Sequence, residues 1–257
     1  MDLIVTALSD QHAELAALLT GAGPDAAVTE AEWRSPTPCE GWDIADVLLH
    51  LAQTDELALA SSTGRFDQEL ERLAGAVESA SDIDEGADRM VANERRTPPA
   101  DVFERWTRVS AELCVSLRAC DPRRRVAWVA GDLSARTLAT TRLAETWIHT
   151  GDIAAALGRS VAPTNRLRHI ARLAWRTLPY AFSQAGEVLS GPVAFELIGV
   201  DGERWDLVPD DSSTTVIRGP ATDLCDVAAR RRDPADTDLL GVGPDVDAVL
   251  RLVRTYA

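Results

Sequence analysis

Arg142-Leu143-Ala144-Glu145-Thr146-Trp147-Ile148-His149-Thr150-Gly151-Asp152-Ile153 lies within a run, 134–157, whose apolar residues recur at helical spacing. Glu145 and His149 are four positions apart, so on a helix they stack on one face about one turn from each other. A carboxylate and an imidazole so placed can hold one divalent cation together. Thr146, Trp147 and Ile148 between them are not the composition of a solvated face. The same spacing also arises in surface ion pairs, so it leaves both readings open. The third donor of such a site is read as His50. Asp152, three positions past His149, either orients that histidine from behind or pairs with an arginine.

His50 belongs to a second helical run, 44–61. Asp43 is a good N-cap for it, and Asp46 stands in the first turn, where the helix dipole favours an anion. Ile44, Val47, Leu48 and Leu51 form its core stripe, and His50 falls at the edge of that stripe. An inward histidine is also the mark of a satisfied core residue; two further donors on one helical face shift the reading towards ligation. Ahead of this helix, 32–42 is rich in turn formers but carries Trp33 and Trp42, so it is expected to pack against the body. Cys39 lies in this loop, where a following helix start would favour a thiolate.

Elsewhere the pattern predicts helices at 3–19, at 101–119 with Asp101 as its cap, and at 165–185; ahead of the second of these lie a short amphipathic stretch, 68–80, and a charged one, 82–96. Gly21-Ala22-Gly23-Pro24 stops the first helix, and Ser134 can cap the helix that carries Glu145. Residues 128–132 form a connector expected to line the site. His12 and His169 are read as exposed, and Arg123-Arg124-Arg125 as a solvated turn. After Gly186 the period changes to two: 192–198, 204–208 and 214–217 read as strands, with Asp201-Gly202 as a hairpin turn. Helices at 220–230 and 244–256 follow. The expected architecture is mainly α: a helical domain over 1–186 and a small α+β domain over 190–257.

All 26 basic residues are arginine, and the formal net charge is −15. Such a chain is poorly suited to nucleic acid or anionic membranes, so neither partner is expected. No segment reaches the roughly 18 continuous apolar residues of a membrane span. Asp2 stands where a signal peptide would be cationic, so a cytoplasmic location is expected. Cys39, Cys114, Cys120 and Cys225 are scattered without a C-x-x-C pair, which argues against a disulfide framework or a cysteine zinc site.

Two histidines and one carboxylate from two helices make a workable metal site. With Zn2+ this set leaves a fourth position for water or substrate, the catalytic arrangement. The same donors serve Fe2+, and ligand type does not decide between zinc, iron and nickel.

Cys39-Glu40-Gly41-Trp42-Asp43-Ile44-Ala45-Asp46-Val47-Leu48-Leu49-His50-Leu51-Ala52 resembles the first-ligand motif of the mycothiol-dependent maleylpyruvate isomerase family, among the DinB-like metal-binding bundles. Ala144-Glu145-Thr146-Trp147-Ile148-His149-Thr150-Gly151-Asp152-Ile153 resembles its second motif. The resemblance implies an up-down four-helix bundle followed by a sterol-carrier-like C-terminal domain. It implies that His50, Glu145 and His149 are zinc ligands. It further implies that a low-molecular-weight thiol, commonly mycothiol, is held as thiolate for addition to, or transfer on, a small electrophile. In the isomerases the thiol adds to a double bond, rotation follows and the thiol leaves. For a dicarboxylate substrate, Arg89, Arg218 and Arg230 are candidate anchors. Two other functions stay open: a thiol-independent zinc hydrolase or lyase or iron oxygenase with the same donors, and a non-catalytic protein that holds a lipid or a partner. Monomer and homodimer are both compatible with the sequence.

Overall fold

The computed structural model describes residues 1–21, 26–74, 83–209 and 212–255. Ala22, Gly23 and Pro24 of the expected helix stop, the end of the 68–80 stretch, Asp82 and Tyr256 lie outside the described residues. Two compact units are present, Met1–Val161 and Ala162–Ala257.

The first unit contains α1 (Asp2–Thr20), α2 (Ile44–Thr63), α3 (Phe66–Ala74), α4 (Ile83–Glu94), α5 (Pro99–Ala119), the two-residue strands β1 (Arg125–Val126) and β2 (Leu133–Ser134), and α6 (Ala135–Ala156). Helices α1, α5, α2 and α6 close a four-membered ring in that spatial order, each touching its two neighbours. Side-chain pairs give their directions. Glu56 meets Arg105 and, further along, Ser62 meets Ser116, so α2 and α5 run the same way. His50 meets Glu145 while Asp55 meets Arg142, so α2 and α6 run oppositely. Gln11 bonds Thr150 and the Leu18 carbonyl accepts from Arg159, so α1 runs with α6. The chain order is therefore up, down, down, up. Helices α3 and α4 pack on α2 and return the chain so that α5 can start at the same end as α2.

Local chemistry sets the helix ends that matter for the site. Asp43 and Asp46 form a reciprocal capping box at the start of α2: the Asp46 N–H donates to Asp43 at 2.9 Å and the Asp43 N–H donates to Asp46 at 3.2 Å. Gly64 ends α2 in the left-handed conformation, φ 77°. Ser134 caps α6 by accepting from the Thr137 N–H at 3.1 Å. Helix α5 starts differently from expectation. Asp101 lies in its first turn rather than at the cap, because Pro99 occupies the first position, where its missing N–H has no consequence.

The core of this unit gathers Leu15, Trp33, Leu48, Leu51, Trp106 and Ile153, and the tryptophan-bearing loop packs on it as expected. Two expectations fail here. His12 is buried, 7% exposed, because it continues the stripe Leu8, Leu15, Leu19 on α1. The connector 128–132 does not line the site. Trp128 stacks near Phe66, and the Ala127 carbonyl accepts from Ser61, eleven residues beyond His50 and roughly 16 Å further along α2.

The second unit contains α7 (Leu167–Gln184), β3 (Val193–Ile198), β4 (Arg204–Leu207), β5 (Thr215–Pro220), α8 (Ala221–Ala228), β6 (Leu240–Val242) and α9 (Val246–Leu252). The division falls at Val161, earlier than the change of period at Gly186, because α7 packs on α8, α9 and β4. The sheet order is β4-β3-β5-β6, with β3 and β4 antiparallel across the expected Asp201-Gly202 turn and β3 and β5 parallel. Phe195, Trp205 and Ile217 are buried in this unit, and the Trp175 indole donates to the Val193 carbonyl at 2.8 Å. Gly199 is required where it stands, since a Cβ there would lie 2.5 Å from the Trp205 ring. His169 on α7 is half-buried rather than exposed. No helix among the described residues is long and apolar enough to cross a membrane.

Replacing Asp43 by alanine removes the capping box that starts α2. The expected loss is about 1 kcal/mol of bundle stability, read as a lower midpoint in urea unfolding followed by tryptophan fluorescence.

Candidate metal centre

Helix α6 is buried on nearly all sides, and α2 crosses it inside the bundle. This brings together residues that lie 95 positions apart. His50 Nε2 is 3.1 Å from Glu145 Oε2, and His149 Nε2 is 3.5 Å from the same oxygen. The three donors lie within 4.8 Å of one another, and all three residues are buried. Tetrahedral ligands about 2.0–2.1 Å from zinc stand about 3.3–3.4 Å apart. The observed separations bracket that value, so the donor set fits a divalent cation in both type and spacing.

The surroundings hold each donor in place. His149 Nδ1 lies 2.9 Å from Asp152 Oδ2, the carboxylate–imidazole arrangement that leaves Nε2 as the free donor. Cys39 completes this side: its thiol donates to Asp152 at 3.3 Å and lies 3.8 Å from His149 Nδ1. The sequence reading favoured a thiolate at Cys39; the structure gives the sulfur a carboxylate neighbour and a donor's role. The Trp42 ring lies 5.0 Å from that of His50, and its indole N–H donates to Asp88 on α4, which pins the loop over the site.

Burial disfavours the Glu145 carboxylate, but hydrogen bonds from His149 and His50 outweigh it and hold the group well below the usual range. Burial would lower His149 too, yet Asp152, Cys39 and Glu145 together hold it well above its ordinary value. Burial lowers His50 despite the pull of Glu145. The pattern is that of a pocket whose carboxylates demand a positive charge among the three donors.

The structure thus assembles His50, Glu145, His149 and Asp152. Of the arginines named for a dicarboxylate, Arg89 pairs with Glu85 on α4 and Arg218 with Glu196 on the sheet. Arg230 belongs to the second unit. Among the described residues of the first unit, Arg142, one turn before Glu145, approaches the donors, with Nη1 3.9 Å from its carboxylate. Sequence reading missed it although its three-residue offset from Glu145 was visible. It also missed Cys39 as the neighbour of Asp152, because that contact spans 113 positions.

The first unit is thus a four-helix bundle whose buried His-Glu-His cluster, between two antiparallel helices, could hold a metal ion. Residues 6–154, more than half of the chain, match the family model described as the mycothiol maleylpyruvate isomerase N-terminal domain, and the chain belongs to that family. It is 34% identical over 226 residues, 88% of this chain and 86% of the relative, to an uncharacterized protein of Mycobacterium tuberculosis found in two strains, CDC 1551 / Oshkosh and ATCC 25618 / H37Rv. Among solved structures it resembles the mycothiol-dependent maleylpyruvate isomerase, with a TM-score of 0.60 and 19% identity over 93% of this chain and 92% of that one. A histidine-to-alanine mutant of that enzyme gives a TM-score of 0.58 at 17% identity. These two likenesses speak to the fold.

Two outcomes follow. Asp152→Asn is expected to weaken zinc binding about 10–100-fold with the bundle intact, measured by chelator competition and thermal melting. Cys114 is buried and its thiol is pushed up to about 11, and burial also raises Cys225. Alkylation at pH 8 followed by mass spectrometry should therefore modify the half-buried Cys39 and Cys120 and spare these two.

Proposed function

We propose that this chain is a divalent-metal enzyme, with zinc the expected ion, that activates a low-molecular-weight thiol such as mycothiol against a small electrophile. The reaction class is addition, isomerisation through reversible addition, or transfer of the thiol. The observation that carries the reading is the convergence, among the described residues, of three buried protein donors, one fewer than a structural zinc site takes. The family and the resemblance to a mycothiol-dependent isomerase support the choice of thiol and reaction class.

His50, Glu145 and His149 would hold the cation. A zinc ion with an open position supplies Lewis acidity and keeps a bound thiol anionic at neutral pH. The chain's own residues do the rest. Asp152 fixes the His149 tautomer so that Nε2 faces the other donors. The tryptophan-bearing loop covers His50, and the surrounding helices exclude bulk water. Exclusion of water strengthens each electrostatic contact in the site and protects a thiolate from competing proton transfer.

The test is metal content and thiol dependence on the full chain. Wild type is expected to carry about one zinc per chain, and His50→Ala to carry close to none. Turnover of an activated double bond, followed by loss of absorbance, should require both mycothiol and the metal-loaded protein. Stoichiometric iron with oxygen uptake, or turnover undiminished without a thiol, would replace this reading with the thiol-independent one.

A further inference from the structure

A second group of charged side chains lies in the same bundle beside the metal centre. Arg142 on α6 donates through Nε to Asp55 Oδ1 on α2 at 2.9 Å, and its Nη1 stands 3.9 Å from Glu145 Oε2. The other oxygen of Asp55 is 3.6 Å from His12 Nε2 on α1. His12 Nδ1 in turn faces the Cys114 sulfur on α5 at 3.8 Å, and its ring meets Trp106 edge-on. The polar seam therefore crosses all four helices. Asp55 is 0% exposed and Arg142 is 1% exposed.

Two features separate this seam from an ordinary structural ion pair. A buried pair contributes little stability beyond what apolar side chains of the same volume would provide. Here Arg142 Nη2 and Asp55 Oδ2 are buried without a hydrogen-bond partner among the described residues, so as a stability device the pair is incomplete. A core selected for stability alone would place aliphatic side chains at both positions. The second feature is where the guanidinium points. Its Nη1 approaches the same Glu145 oxygen that both histidines approach, and Glu145 is the one carboxylate of the donor set. A planar guanidinium can hold two carboxylates in fixed relative orientation. Asp55 anchors one side of the fork and leaves the other to Glu145.

We propose that Arg142, anchored by Asp55, is a positioning residue that fixes the Glu145 carboxylate with Oε2 directed at the two histidines. In this role the pair presets the donor geometry. The inference rests on the metal reading above.

The experiment measures the zinc dissociation constant by competition with a chromophoric chelator, together with the melting temperature of the metal-free protein. It compares wild type, Arg142→Lys and the double variant Arg142→Met/Asp55→Leu. The double variant removes both charges together, so neither Arg142 nor Asp55 is left buried opposite an empty position, and of the seam only His12 loses a neighbour. The double variant's metal-free melting temperature should stay near that of wild type, while zinc affinity falls about 10–100-fold. A merely structural pair would leave the affinity at its wild-type value, whether or not the melting temperature moves. Arg142→Lys keeps the charge balance and needs no repacking, but loses the fork; about a tenfold weaker affinity is expected. Wild-type affinity in either variant overturns the proposal while the metal reading stands. No zinc binding by wild type would overturn both.

Discussion

The constraint on which the bundle depends is the burial of the Glu145 carboxylate. An uncompensated carboxylate in an apolar interior costs several kcal/mol even after the protein relaxes around it. Compensation arrives chiefly from two sides: His50 across the helix interface and His149 one turn along the same helix. The first of these depends on α2 and α6 being antiparallel and in one register. Sliding α2 by a single turn would carry His50 about 5.4 Å along the axis and break its contact. The charge at the centre thus specifies the register more tightly than the surrounding leucines, which tolerate exchange of one apolar contact for another.

Helix α6 meets the complementary demand. It is polar for a helix buried on nearly every face, and it solves this within its own backbone. Thr140, Thr146 and Thr150 return their hydroxyls to carbonyls four residues earlier. A buried threonine that satisfies itself in this way adds bulk without needing an outside partner. The remaining hydrogen-bonding capacity of the helix interior can then be spent on Glu145, His149 and Asp152.

Much of this was visible in the sequence, and the boundary of visibility has a physical basis. The donors on α6 sit four residues apart, and the Asp43–Asp46 capping box, together with Ser134, marks the starts of α2 and α6; all are local signals. His12 was misread because a polar residue within an apolar stripe looks like the edge of that stripe until its partner, Asp55, is known. Arg142 looked like one more arginine among 26. The parallel pairing of β3 and β5 and the short strand β6 were beyond reach, since neither a non-local register nor three exposed residues containing a glycine leaves a periodic trace. The bundle ends before α7 for the same reason: a helix shows its apolar face in sequence, but not which partner will cover that face.

The up, down, down, up order has a kinetic consequence. Because α3, α4 and α5 lie between α2 and α6 in the chain, no short hairpin joins the two donor-bearing helices, and His50 must wait for a residue 95 positions later. The entropy of closing so long a loop must be met before any contact in the cluster offers a return. The donors therefore form a late-assembling point in folding. Any ligand that needs all three binds only chains whose topology is complete, and by mass action it draws the population towards that state. During synthesis the donor set cannot exist until α6 has been made, by which time most of the bundle has already been chosen.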